Sequence, residues 1–194
     1  MPKPTAIVYI DGLNLHRRLM ERMNTSGWVD YWKLVEVILR NFEIVAVRVF
    51  TALYSTEDAV VAKDIWNQQT STYPKLSIHL GRVKKTTRMY PTTKSANRDP
   101  SDGVAKVKKF EEKGSDVSLA AHMVLDASQN RANIYFVMSS DTDFEPALRV
   151  LKEQLGVQIG VISTTENVPK LFSQLSPNVI RHVKLKHIHE SRLT

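Results

Sequence analysis

The stretch Thr5-Ala-Ile-Val-Tyr-Ile-Asp-Gly-Leu-Asn14 decides how this chain folds. Thr5 to Ile10 is a nearly continuous apolar run rich in β-branched residues. It is short for a helix and lacks the alternation of a strand with one wet face. It reads as a strand covered on both sides, the kind found in parallel sheets. Asp11-Gly12 ends it. Leu15, Leu19 and Met23 then repeat at four-residue spacing, so a helix is expected over 13–23.

The rhythm continues outward from there. Asp30 is placed to cap a helix through Asn41. Further strands are expected over 44–53, 76–83, 133–138 and 157–163, with 179–188 as a last strand or tail. Helices are expected over 57–73, stopped before Pro74, and over 115–128, 144–155 and 168–174. Gly156 is a natural stop for the third of these. Strands alternating with helices predict an α/β, three-layer, Rossmann-like domain with a central, mostly parallel sheet flanked by helices. No repeat or linker divides the chain, so residues 1–194 read as one domain.

Composition narrows the field. A chain of 194 residues with 42% hydrophobic content can bury a real core without staples. Cysteine is absent, which excludes a disulfide scaffold, thiolate zinc sites and cysteine nucleophiles. No apolar run approaches the ~18 residues of a membrane span, and the N-terminus lacks the pattern of a signal peptide. The expected setting is the cytoplasm, with no membrane partner.

The net charge of +7 is concentrated. Arg82 to Lys113 holds ten basic against four acidic residues, a net +6, and is expected to be a basic loop. Lys84, Lys85, Arg88, Lys94 and Arg98 are its candidates for phosphate contact, and Tyr90 for stacking on a base. A basic extension, with Arg181, Lys184, Lys186 and Arg192 against Glu190, covers 179–194.

Acids gather elsewhere. Asp11 follows the first strand, and Asp141 and Asp143 follow the strand at 133–138. Sites in open α/β sheets lie outside the carboxyl ends of strands, where strand order reverses. Asp116 opens the helix leading into 133–138, so its end lies at the same edge. Clustered carboxylates repel one another unless a cation sits between them. Such oxygen donors suit Mg²⁺ or Mn²⁺. Each Asp alone is also good turn or cap chemistry.

Three motifs, Tyr9-Ile-Asp-Gly-Leu-Asn14, Lys113-Gly-Ser-Asp-Val-Ser-Leu119 and Ser139-Ser-Asp-Thr-Asp-Phe144, resemble in order the signatures of NYN domains, the LabA-like (DUF88) branch of the PIN-like nucleases. The resemblance implies a metal-dependent endoribonuclease in which an activated water hydrolyses the phosphodiester. It makes Asp11, Asp116, Asp141 and Asp143 the catalytic and metal-binding acids, with Mg²⁺ or Mn²⁺ as cofactor. Asn14 would orient a phosphate, a water or Asp11, and Ser139 would support the metal site. Two departures stand out. Ser140 replaces a frequent Gly, and His122 stands where a further acid is common. His122 can serve as ligand or base but carries no fixed negative charge, and as a bland alternative it is a partly buried helix residue; Asp126, one turn on, is placed either to pair with it or to be plain surface. The expected partner is RNA, single-stranded or structured, with a homodimer left open. The alternative function is a catalytically weak or inactive module that binds RNA.

Overall fold

The computed structural model describes residues 2–23, 28–53, 56–91 and 104–193. The chain enters through β1 (Thr5–Asp11), α1 (Gly12–Met23), α2 (Tyr31–Ile38), β2 (Glu43–Thr51), α3 (Thr56–Thr72) and β3 (Leu76–Leu80). After β4 (Arg82–Pro91) and β5 (Val104–Lys113) come α4 (Ser115–Ser128), β6 (Ile134–Met138), α5 (Glu145–Arg149), β7 (Gln158–Ser163), α6 (Lys170–Gln174), β8 (Val179–His182) and α7 (Leu185–Glu190).

Six strands form one parallel sheet in the order β3-β2-β1-β6-β7-β8. The chain builds outward from β1 to β3, then returns and builds the other way from β6. Strand order therefore reverses between β1 and β6, where a crevice opens at the carboxyl edge.

β1 behaves as its sequence dictates. Ala6 to Ile10 are each at most 2% exposed. Ala6, Val8 and Ile10 join a core with Leu15, Leu34, Val35 and Trp66 of α1, α2 and α3. Ile7 and Tyr9 point the other way, into a core with Leu119 and Met123 of α4, Leu148 of α5 and Phe172 of α6. Alternate residues thus feed two helical layers, and the three-layer α/β expectation holds.

Boundaries differ where tertiary contacts intervene. α2 starts as expected, its Lys33 N–H donating to Asp30 Oδ1 at 3.0 Å. It stops at Ile38 rather than Asn41, and a turn closed by Phe42 N–H on the Leu39 carbonyl brings Phe42 edge-on to Phe136. The helical run expected over 144–155 begins earlier, with a tight turn over Thr142–Phe144, and closes with a wide π-helical turn over Val150–Gln154. Gly156, at φ +64°, takes the left-handed conformation that stops it.

Two expectations are corrected. The segment 82–113 is not simply a loop: β4 and β5 pair antiparallel from Arg82–Lys113 to Pro91–Val104 as a separate two-stranded ribbon. β3 ends at Leu80, and Gly81 divides it from the ribbon. A β-carbon on Gly81 would stand 2.3 Å from Glu112 Oε1 and Ser115 Oγ, so a larger residue there would displace both side chains. Lys94 and Arg98 lie outside the described residues. Nor is 179–188 one strand or a tail. β8 joins the sheet, the chain turns at Val183, and α7 buries Ile188 in the core. Ser191 and Leu193 then bond back to Asp30 and Trp28.

Candidate active site

Asp11 ends β1 inside the β1–β6 crevice and is 8% exposed. Both its oxygens are held: Asn14 N–H donates to Oδ1 at 3.0 Å, and Ser139 Oγ donates to Oδ2 at 2.9 Å. Ser139 stands past the end of β6 and accepts from Asp141 N–H at 3.0 Å. Asp141 Oδ1 in turn accepts from Asp143 N–H at 3.0 Å, capping the turn that starts at Thr142. A chain of bonds therefore runs from Asp11 through Ser139 to Asp141 and Asp143.

Asp116 enters from the first turn of α4, at the same edge. Its side chain meets solvent, yet partial burial and then the charges of Asp11, Glu112, Asp141 and Asp143 push its pKa up to about 6. Asp11 is also raised, first by burial, against the two hydrogen bonds it accepts, with Asp141 and Glu112 adding to the rise. The four acids expected to converge thus lie within one electrostatic neighbourhood.

Glu112 is a fifth member that the sequence reading missed. It sits at the base of the ribbon, where its Oε1 accepts from Ser115 N–H at 2.8 Å. In the sequence it looks like one more charge in a basic segment. Its position only emerges from the β4–β5 register, which turns Glu111 to the opposite face. A cluster of hydroxyls was missed too. Ser140 Oγ lies 2.9 Å from Thr164 Oγ1 and 3.1 Å from Thr165 Oγ1 at the end of β7. Thr164 Oγ1 donates to Asn14 Oδ1 at 2.7 Å. Asn14 thus supports Asp11 through its backbone, while its side chain ties the crevice to β7. A glycine in place of Ser140 would lack that tie.

His122 is placed apart from this group. Its Nδ1 lies 2.8 Å from the Ser118 carbonyl, an acceptor only, so Nδ1 carries the proton. Its ring packs against His79 and Phe50 at centroid distances of 4.6 and 5.3 Å. Asp126 does not pair with it. Asp126 instead binds Tyr9, Arg48 and Arg131.

The donors suit a hard divalent cation, being carboxylates that raise one another's pKa in the absence of one. Among the described residues, no three His, Asp or Glu side chains stand close enough to hold one ion. Two carboxylates with water and substrate phosphate completing the shell is the arrangement Mg²⁺ commonly adopts.

Partial burial of Asp116, together with repulsion from the other acids, opposes its ionisation. The fold favours protonated Asp116, so this contribution to stability is full below the ordinary carboxylate range and is lost as pH rises through about 6. Asp116→Asn is expected to raise the thermal midpoint at pH 7 in EDTA and to leave it unchanged at pH 4. A lower midpoint at pH 7 would show that the repulsion is absent.

On the far side of the crevice a cavity of about 680 Å³ opens at the ends of β7 and β8, lined by Thr165, Glu166, His182 and Val183 to Lys186. The basic C-terminal segment therefore also reaches the carboxyl edge. No helix among the described residues is long and apolar enough to cross a membrane.

Comparison with known proteins adds three findings. The sequence profile of the NYN domain matches residues 5–182. A 6-hydroxy-3-succinoylpyridine 3-monooxygenase from Pseudomonas putida is 26% identical over 217 aligned residues, spanning 96% of this chain and 67% of that one. A crystal structure of a protein of unknown function from Vibrio parahaemolyticus superposes with a TM-score of 0.63 at 12% identity, covering 98% of this chain and 97% of that one. That last likeness concerns the fold alone.

Proposed function

The chain belongs to the NYN domain family, within the PIN-like superfamily, and on that premise we propose that it is a metal-dependent endoribonuclease. The observation that carries the reading is the hydrogen-bonded chain from Asp11 through Ser139 to Asp141 and Asp143, with Asp116 entering from α4, at the point where strand order reverses.

Two at a time from Asp11, Asp116, Asp141 and Asp143 would hold Mg²⁺ or Mn²⁺, with water and the substrate phosphate completing the shell. When bound, the ion supplies Lewis acidity and offsets the charge of the reacting phosphate. The residues themselves do the positioning. Asp11 is fixed by Asn14 and Ser139 and presents an immobile carboxylate. Ser139 couples that carboxylate to the Asp141 backbone, so the two acids move together. Asp143, exposed at the mouth, orients water arriving from solvent. His122, held by Ser118 and flanked by His79, supports the α4 side of the site without joining the acids. Lys84, Lys85 and Arg88 of the ribbon, together with Lys94 and Arg98, attract the RNA backbone.

The test uses the purified chain with labelled single-stranded RNA and Mn²⁺ or Mg²⁺. Cleavage at internal positions that EDTA abolishes is the expected result. Cleavage that survives EDTA would overturn the metal dependence. Binding without cleavage would replace the reading with an RNA-binding module. The Pseudomonas relative is named for an oxygenase reaction. Dioxygen uptake on a hydroxypyridine, with RNA left intact, would therefore also overturn it.

A further inference from the structure

The β4–β5 ribbon has two unlike faces. Directly paired residues share a face, and faces alternate along each strand. One face carries Arg82–Lys113, Lys84–Glu111, Thr86–Lys109, Arg88–Val107 and Tyr90–Ala105. The other carries Val83–Glu112, Lys85–Phe110, Thr87–Lys108 and Met89–Lys106. The first has more cations, but Arg88, Lys109 and Lys113 all close on Glu111, at 3.5, 3.4 and 3.3 Å. The second begins at Glu112, inside the acid cluster. One pleat further out on the same strand, about 7 Å along, stands Phe110.

Phe110 is 48% exposed, an unusual position for a large aromatic ring. The Lys85 ammonium lies 5.7 Å from its ring centroid. Thr87, Lys108 and Lys106 continue the face outward. We propose that Phe110, with Lys85 across from it, is a stacking subsite for the unpaired base of the nucleotide next to the one whose phosphate occupies the acid cluster. The proposal rests on the ribonuclease reading for what happens to that phosphate, and deepens it by naming the substrate as a single strand.

The chemistry fits one occupant. A polyanion meets the lysines, and an aromatic face accepts any base without regard to sequence. A duplex keeps its bases stacked on one another and offers no ring to Phe110. Tyr90, the aromatic residue nominated by the sequence, lies on the opposite face, opposite Ala105 and far from the ribbon base. Stacking at Phe110 also places a backbone phosphate beside Lys85 and the next one toward Asp116, because neighbouring nucleotides step along the strand as the pleat does.

Binding is measured by titrating labelled single-stranded RNA in EDTA, so that cleavage plays no part. Phe110→Ala is expected to weaken binding roughly tenfold, within the range of losing one stacked base. The salt dependence should stay unchanged because no charge is lost. Lys85→Ala should instead flatten the salt slope by about one. Phe110→Trp should retain wild-type affinity, and Tyr90→Ala should cost less than Phe110→Ala. An oligomer lacking its bases should bind wild type and Phe110→Ala equally. Wild-type binding by Phe110→Ala, a larger loss from Tyr90→Ala, or equal affinity for duplex RNA would overturn the subsite. The ribonuclease reading fails separately, if the wild-type chain binds in this way but never cuts when metal is added.

Discussion

Asp11→Asn is expected to lower RNA cleavage by more than roughly 100-fold, the upper end of what the loss of a supporting partner costs a metal ligand. The substitution keeps shape and removes one negative charge. Asp11 is buried, and its pKa already stands above the ordinary value, so the site pays little for a neutral group there. The amide can keep both partners: its Oδ1 accepts from Asn14 N–H, and its Nδ2 donates to Ser139 Oγ once that hydroxyl rotates. Repulsion from Asp141 and Glu112 is relieved at the same time. The thermal midpoint should therefore move little while activity collapses. Cleavage assays beside thermal melts separate the two effects. Wild-type cleavage by the variant would remove Asp11 from the mechanism.

The largest loss of stability should come from a different aspartate. Asp126 lies in α4 with its side chain 2% exposed. Oδ2 accepts from Tyr9 Oη and from Arg48 Nε, both at 2.7 Å, and Oδ1 accepts from Arg131 at 2.8 Å. Burial, followed by this carboxylate, holds the Tyr9 hydroxyl well above its ordinary pKa. Asp126→Ala leaves a half-buried guanidinium and a buried phenol without their partner. Breaking a buried pair in this way costs about 3–5 kcal/mol. For a chain of this size that lowers the thermal midpoint by roughly 10 °C. Asp126→Asn should fall between, since it still accepts one bond. A shift under about 2 °C would mean that Arg48 swings out to solvent.

What the sequence made legible follows from local physics. The runs 5–10 and 133–138 are apolar on both faces, and that forces helices onto both sides of a parallel sheet. Once β1 and β6 are neighbours, Asp11 and Asp141 must share an edge. Neither step needs a distant contact beyond the pairing itself. The ribbon was hidden because its period-two pattern is written in lysines and threonines rather than in apolar residues, so it reads as solvated charge. Glu112 was hidden with it, since only the β4–β5 register says which of two adjacent glutamates faces the acids. The hydroxyl cluster of Ser140, Thr164 and Thr165 joins two strand ends that are 24 residues apart in sequence. Short polar residues there look like ordinary turn formers. Asp126 was read against His122 one turn back, but its partners come from β1, β2 and the loop after α4.

The ribbon also constrains how this arm can change length. Among the described residues it pairs with itself alone, anchored at Gly81 on one side and Gly114 on the other. Adding two residues in each strand between Glu112 and Phe110 moves the aromatic ring but keeps it on the acid-facing side. Adding or removing one in each turns the arm over, bringing what had been the outer face inward. Insertions beyond Met89–Lys106 leave this inner geometry untouched. Lineages that lengthen or trim the arm near its root should therefore do so by even steps, while its tip is at liberty to vary by any number.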